Sequence, residues 1–211
     1  MIKISQASVL IPIIAGLLFY KRINTPFKWL TWFFILSAFV EIISVKIIHR
    51  GQHNNMPLLH LYTLIEFIAF GYMYYVYFKD RNRLKYFPVI TLFTFIIIAG
   101  IDAIWINGIW LPNTVARSFE CMVLVLLALM YYYLFFKESF DQVVWKQSMF
   151  WLSTGVLFYF AINEPFFMLY NFFLSNHSDM AKLGLNIHAV INIFTNILFA
   201  ISFTCPKRKT Y

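Results

Sequence analysis

Five carboxylates in this sequence fall within long apolar segments. They belong to Glu41, Glu66, Asp102, Glu120 and Glu164, out of nine acidic residues in the 211-residue chain. If the segments cross a membrane, each acid at mid-bilayer costs about 2.5–3.5 kcal/mol on insertion scales. We therefore expect the carboxylates to face one another, a base or water. Intramembrane acids in such positions are candidates for ligand or proton binding.

Basic and amide side chains in the same segments complete a candidate site. Arg117 lies three residues before Glu120, so the two can pair on one helix face. His188 and Asn192 are four residues apart and share a face as well. Carboxylates near histidines in a low dielectric could exchange protons near neutral pH. The predicted ligand- or proton-binding residues are His60, Glu66, Asp102, Arg117, Glu120, Asn163, Glu164, His188 and Asn192.

These residues also have structural interpretations. Asn and Thr side chains commonly join transmembrane helices, at about 0.6 kcal/mol per contact, and the stripe that contains His188 and Asn192 could do only that. Arg117 and Glu120 could form a structural ion pair. The run 163–165, Asn-Glu-Pro, combines two polar groups with a proline that frees a backbone carbonyl one turn earlier. Broken helices of that kind line ligand sites in transporters.

The composition indicates the elements that position these residues. Hydrophobic residues make up 61% of the chain, aromatic residues 21% and charged residues 12%. Soluble domains have about a quarter charged residues, and a soluble chain this apolar would expose one continuous hydrophobic surface. In a bilayer only helices and closed barrels satisfy the backbone, and the apolar segments lack the strict alternation of a barrel. The sequence predicts an all-α integral membrane protein.

Seven segments are long enough to be transmembrane helices, which need about 20 apolar residues each. They form one predicted domain over residues 1–211. Lys21 and Arg22 close the first segment, which is typical of a retained helix and not of a cleaved signal peptide. The predicted helices lie near 4–20, 28–48, 57–78, 86–107, 113–136, 147–173 and 183–204.

The distribution of basic residues predicts the orientation. The loops after odd-numbered helices contain twelve of the seventeen Lys and Arg residues, which predicts an outside N-terminus and a cytoplasmic C-terminus. Aromatic residues crowd the same border at 72–78 and 131–136, where we expect a membrane-interface belt. The bias toward Ile, Lys, Phe, Asn and Tyr suggests an AT-rich bacterial genome, so the predicted location is the inner membrane, as a multi-pass protein.

In this orientation the polar residues lie in the outer half of the membrane. Glu41, Asp102 and Glu164 are past the midpoints of outward-running helices, while His60 and His188 are in the first turns of inward-running ones. The inner half contains almost no charge. We therefore expect a polar pocket that is open to the outside and closed below by apolar and aromatic packing.

Two functions remain open at this stage. The favoured one is a transporter or sensor for protons or for a small polar or amphipathic ligand, with the lipid bilayer as its surroundings and a cytoplasmic partner at the basic loops if it is a sensor. The alternative is an intramembrane lipid hydrolase, either with or without a metal. A metal site needs two or three histidines with a carboxylate, and one turn after His188 the sequence has Asn192. We predict no metal, no cofactor and, since the basic residues lie in short loops, no nucleic-acid partner.

Overall fold

The structure, a computed structural model, describes residues 2–49, 54–138, 143–176 and 178–205. These residues are almost entirely helical and include no β-strand. Short 3₁₀ helices lie at Asn82–Tyr86 and Val144–Lys146, and a π-helical turn lies at Asp102–Ile106. The α-helices of the described residues are α1 (Ile2–Ser8), α2 (Leu10–Leu18), α3 (Thr25–His49), α4 (Met56–Phe78), α5 (Phe87–Ile101), α6 (Thr114–Glu138), α7 (Ser148–Asn176) and α8 (Ser178–Thr204).

The prediction of an all-α bundle with seven helical segments is confirmed, with α1 and α2 together as the first segment. Two of the segments are shorter apolar helices, Lys3–Leu18 and Ser148–Asn163. The apolar helices support a membrane-embedded protein, while the orientation and the number of spans stay predictions. Within the described ranges, five stretches are long and apolar enough to cross a membrane: Thr25–Ile47, Met56–Phe78, Leu84–Ile106, Thr114–Glu138 and Lys182–Thr204.

The first predicted helix, 4–20, is in fact two helices. The interruption is at Val9, three residues before Pro12. Proline has no N–H to bond the carbonyl four residues earlier, here that of Ser8, and its ring crowds that carbonyl. As a result α1 packs mainly on α8, while α2 packs against both α3 and α8.

α4 and α8 organise the bundle. α4 packs against α3, α5 and α6, and α8 packs against α1, α2 and α7. Extensive packing of α6 on α7 joins these two groups. Because the neighbouring long helices are antiparallel, the polar residues near the start of α4, α6 and α8 are brought to the same end of the bundle as the end of α3.

The aromatic residues near the ends of α4 and α6 form packing contacts as well as a surface. Tyr74, Phe78 and Tyr131 are fully buried, whereas Tyr133 and Phe136 are exposed. The predicted interface belt therefore describes only the exposed faces of these two helices, which on α4 include Tyr72 and Tyr75. The buried face belongs to the core, where for example Tyr74 donates a hydrogen bond to Ser153 on α7 at 3.3 Å.

Charged side chains concentrate at the end of the bundle where α4 and α6 end, which we call the basic end. There Arg81 donates from Nη2 to Glu138 at 2.6 Å, and its guanidinium lies 4.2 Å from the centre of the Tyr77 ring. The hydrogen bond to Glu138 raises the pKa of Arg81. Both partners are partly exposed, so the pair connects the loop after α4 to α6 without adding much stability.

Candidate functional site

A cavity of about 340 Å³ lies between α1, α3, α4, α6, α7 and α8. It reaches Ser44 and Met56, near the end of α3 and the start of α4, and we call this the cavity end of the bundle. Its volume is within the range of roughly 300–1,000 Å³ that is usual for small-molecule sites. The polar lining residues are Gln6, Ser37, Glu41, Ser44, Tyr62, Thr63, Glu66, Asn113, Arg117, Tyr159, His188, Asn192 and Asn196.

Arg117 connects two buried carboxylates on different helices. Its Nη1 donates to Oε2 of Glu66 on α4 and, at 2.8 Å, to Oε2 of Glu120 one turn along α6. Glu66 is 4% exposed and Glu120 0%. We call Glu66, Arg117 and Glu120 the arginine network. The sequence predicted all three residues and the Arg117–Glu120 pair, but not the pairing of Arg117 with Glu66.

Tyrosines surround the arginine network on the cavity side. Tyr62 donates to Oε1 of Glu66 at 3.4 Å, and since its hydroxyl has one proton, Ser37 is the donor in the 3.0 Å contact between them. Tyr159 accepts from Nη2 of Arg117 at 3.4 Å. The guanidinium carbon is 5.7 Å from the centre of the Phe160 ring, which is within cation–π range.

Carboxylates outnumber cationic groups at the site. The described side chains bring Glu41, Glu66 and Glu120 to the cavity and its arginine network, against the single guanidinium of Arg117. In addition, Oε1 of Glu120 is buried and has no hydrogen-bond partner among the described residues. A buried carboxylate that is not compensated is costly. The site can therefore accept positive charge, as a proton or as a cationic ligand.

His188, which lines the cavity, forms a second polar pair with Asn163. The side-chain nitrogen of Asn163 donates to the carbonyl of Tyr159 at 2.6 Å, which orients the amide oxygen toward His188. An amide oxygen can only accept, so Nδ1 of His188 is the donor in their 3.0 Å hydrogen bond. The imidazole also packs edge-on against the Tyr159 ring, with 5.7 Å between the ring centres. Both predicted residues thus lie next to the arginine network.

The polar stripe of α8 joins this helix to α1 and lines the cavity at the same time. Asn192 donates to the hydroxyl of Ser5 at 2.9 Å, and Asn196 donates to the hydroxyl of Ser8 at 2.8 Å. Both asparagines also line the cavity. The two interpretations of this stripe, interhelical contact and binding surface, are therefore compatible.

Gln6 and Glu41 connect α1 to α3 across the other side of the cavity. The side-chain nitrogen of Gln6 donates to Oε1 of Glu41 at 2.7 Å. The sequence identified Glu41 as an acid within an apolar segment but did not include it or Gln6 among the site residues. Gln6 has no charge and no regular spacing to another polar group that would have revealed it.

Four phenylalanines close the cavity toward the basic end. The ring of Phe70 is 5.5 Å from that of Phe33 and 5.6 Å from that of Phe199, and Phe34 is 5.4 Å from Phe199. All four line the cavity and are buried. We call this group the phenylalanine floor. Phe70 follows Glu66 by one turn on α4, while Phe33 and Phe34 precede Glu41 on the antiparallel α3.

Asp102 does not line this cavity. Its Oδ2 accepts the backbone N–H of Ala116, in the first turn of α6, at 2.9 Å, and its Oδ1 accepts the side chain of Asn107 at 2.5 Å. A carboxylate in this position caps the helix and interacts favourably with the helix dipole. The fully buried Asp102 thus stabilises the turn between α5 and α6.

Replacing Asp102 with alanine is expected to lower the free energy of unfolding by about 1–2 kcal/mol, as for the loss of a helix cap. Asparagine, which keeps an acceptor but loses the charge, should cost less. Unfolding in mixed micelles measures both changes. A loss of ligand response in Asp102→Ala at unchanged stability would contradict the capping role and favour the predicted role in binding.

His60 lies at the rim and not in the cavity wall. Its Nε2 donates to the carbonyl of Leu111 at 3.0 Å, since a carbonyl only accepts. Asn54 makes a similar contact with the carbonyl of Trp110 at 2.7 Å. These two side chains connect the loop before α6 to the start of α4. His60 thereby positions Asn113, which lines the cavity and donates to Thr63 at 2.9 Å.

The side chain of Glu164, a further predicted site residue, lies outside the described part of the structure, as do His53 and His177. Among the described residues, no group of three or more His, Cys, Asp or Glu side chains could hold a metal ion.

Two tyrosines were missed that sequence spacing could have revealed. Tyr62 precedes Glu66 by four residues, and Tyr159 precedes Asn163 by four residues. Side chains at that spacing share a helix face. Both were obscured because the chain contains 13 tyrosines, and others have a polar residue at the same spacing, such as Tyr75 with Lys79 and Tyr133 with Lys137.

Comparison of the chain with protein-family models, with curated proteins and with solved structures finds no match.

Proposed function

We infer that this chain is a multi-pass membrane protein that binds a small polar or amphipathic ligand, or protons, in the cavity between its helices. It acts as a transporter or a sensor, with the cavity end on the outer face of the bacterial inner membrane. The single observation that carries this proposal is the buried arginine network in the wall of a cavity large enough for a ligand.

The position of the arginine network supports a binding role over a purely structural one. A structural ion pair needs no adjacent space, but Glu66 and Arg117 both line the cavity. Hydrophobic residues of similar volume generally stabilise a buried site as well as an ion pair does, so such pairs are weak evidence for a role in stability. Ionisable groups that meet at a cavity inside a membrane bundle are typical of substrate or proton pathways.

The phenylalanine floor supports one-sided access. It separates the polar cavity from the basic end with closely packed rings. A transporter would have to displace these rings to release its ligand on the other side. A sensor would instead transmit the occupancy of the cavity to the loops at the basic end, where a cytoplasmic partner could bind.

Cysteine labelling tests the cavity without knowledge of the ligand. In a chain with Cys121→Ala and Cys205→Ala, we expect Ser37→Cys, at a half-buried position that lines the cavity, to react in intact cells with a membrane-impermeant methanethiosulfonate that carries a trimethylammonium group. The matched control is Ile97→Cys on the exposed apolar face of α5. Its thiol faces lipid, where the reactive thiolate does not form, and should not react.

The same experiment tests the orientation of the protein in the membrane and the charge of the cavity. Reaction of Ser37→Cys only after permeabilisation would place the cavity end in the cytoplasm, and a rate no higher than that of Ile97→Cys would rule out an aqueous cavity. An anionic sulfonate reagent of similar size should react more slowly than the cationic one. Adding Glu41→Gln and Glu66→Gln should reduce that difference, because these two carboxylates attract the cationic reagent.

A further inference from the structure

A second depression, a groove of about 370 Å³, lies between α1, α2 and α3. It is on the apolar outer surface of the bundle, where Leu10 and Ile42 are each 51% exposed. Apart from Gln6, Glu41 and Lys46, its side chains are apolar. They are Ala7, Val9, Leu10, Ala38, Ile42 and Val45.

The groove and the central cavity share three residues. Gln6, Val9 and Glu41 line both, so they form the partition between the polar interior and the bilayer-facing groove. The partition is thin because the interruption at Val9 lets α1 follow α8 and leaves a gap toward α3. The 2.7 Å hydrogen bond from Gln6 to Glu41 crosses this gap.

The partition can open without disturbing the core. α1 has seven residues. Its hydrogen bond to α3 is made by the side chain of Gln6, and its hydrogen bonds to α8 are made by the hydroxyls of Ser5 and Ser8 and the backbone carbonyl of Ser5. A hydrogen bond to a charged group is stronger than one between neutral groups. A cationic group that reached Glu41 would take the place of the Gln6 amide. Its attraction to the carboxylate would compensate for the lost hydrogen bond between Gln6 and Glu41.

The cavity behind the partition suits a cationic head group. It presents the carboxylates of Glu41 and Glu66 together with the rings of Tyr62 and Tyr159. Carboxylates attract a cation over a distance, and aromatic rings bind quaternary ammonium groups by cation–π interaction. The groove in turn suits a hydrocarbon chain, since it extends about 12 Å along α3 from Ala38 to Lys46 at 1.5 Å per residue.

From this arrangement we propose that the ligand is a single-chain amphiphile with a cationic head, and that it enters the cavity sideways from the bilayer between α1 and α3. The head occupies the cavity beside Glu41 and Glu66, and the chain remains in the groove. This proposal rests on the proposed function, because it needs the cavity to be a binding site.

The test compares decyltrimethylammonium with tetramethylammonium, by the increase in the unfolding temperature of the protein in lipid nanodiscs. A bound ligand stabilises the folded state as its concentration exceeds its Kd. Each methylene buried in the groove should increase affinity about fourfold, so the decyl probe should bind far more tightly. Ala38→Trp, which fills the groove, should lower the affinity for the decyl probe about tenfold or more. This is the effect of losing about two buried methylenes.

Control variants distinguish binding in the groove from the nonspecific effects of an added tryptophan. Ile97→Trp adds the same side chain to the exposed face of α5 and should bind the decyl probe like the wild type. Ala7→Trp narrows the groove from α1 and provides a second variant if Ala38→Trp does not fold. Glu66→Gln should weaken both probes, because it removes a carboxylate from the cavity.

Equal affinity for the decyl probe in wild type, Ala38→Trp and Ala7→Trp would overturn the lateral entrance. If the two probes bind the wild type with equal affinity, or if neither binds, the ligand is not a single-chain cationic amphiphile. If neither probe binds but Ser37→Cys still reacts with the cationic thiol reagent, only this ligand assignment fails. If Ser37→Cys does not react either, the proposed function fails with it.

Discussion

Replacing Arg117 with methionine is expected to lower the free energy of unfolding by about 3–5 kcal/mol, the range for removing one partner of a buried ion pair. Glu66 and Glu120 would then be left in a buried site without their cationic partner, and Oε1 of Glu120 already has no partner among the described residues. Unfolding in mixed micelles measures the change.

A charge-neutral variant distinguishes lost charge compensation from lost packing. Combining Arg117→Met with Glu66→Gln and Glu120→Gln removes every charge of the arginine network at similar side-chain volume, and most of the stability should return. Arg117→Lys should be intermediate, since a lysine has no planar fork to contact two carboxylates. A loss below about 1 kcal/mol in Arg117→Met would show that the carboxylates do not depend on the guanidinium.

Gly155→Ala is expected to cost about 1–3 kcal/mol, as for overpacking a core. A Cβ at this position would lie 2.5 Å from Cε1 and 2.8 Å from Cδ1 of Phe199. The Phe199 ring cannot rotate away freely, because Phe34 and Phe70 pack against it in the phenylalanine floor. Either α7 and α8 must separate or the floor must rearrange, so binding to the cavity should change together with stability.

Gly71→Ala is the matched control. No described atom outside its own helix and neighbouring residues lies within 4 Å of a Cβ built at Gly71, and the residue is inside α4. Alanine is favoured over glycine within a helix by about 0.5–1 kcal/mol, so this variant should be slightly more stable than the wild type. If Gly155→Ala behaved like Gly71→Ala, the close contact between α7 and the phenylalanine floor would be without consequence.

Local sequence was enough to predict where most of the helices lie. The spans 57–78 and 113–136 differ from α4 and α6 by at most two residues at each end. These boundaries follow from lengths of apolar sequence that a bilayer requires, and they need no knowledge of neighbours. Spacing within one helix likewise predicted the contact of Arg117 with Glu120 and the shared face of His188 and Asn192.

Local sequence could not predict which face of each helix is buried and which is exposed. In a soluble helix, an apolar stripe marks the buried face. In a membrane, lipid is as apolar as the core, so burial and exposure use the same residue types. For this reason the aromatic residues at 72–78 and 131–136 all suggested an interface belt, although Tyr74 and Tyr131 are fully buried.

The sequence by itself determined that the chain is helical, that its apolar helices suit a membrane and that its intramembrane acids need partners, because these properties depend on composition and local spacing. Only the tertiary structure decided which partners they have. It joined Arg117 to Glu66 across 51 residues, used Asp102 as a helix cap and placed Gln6 against Glu41. The rotation and tilt of packed helices decide such contacts, and a uniformly apolar sequence contains little information about either.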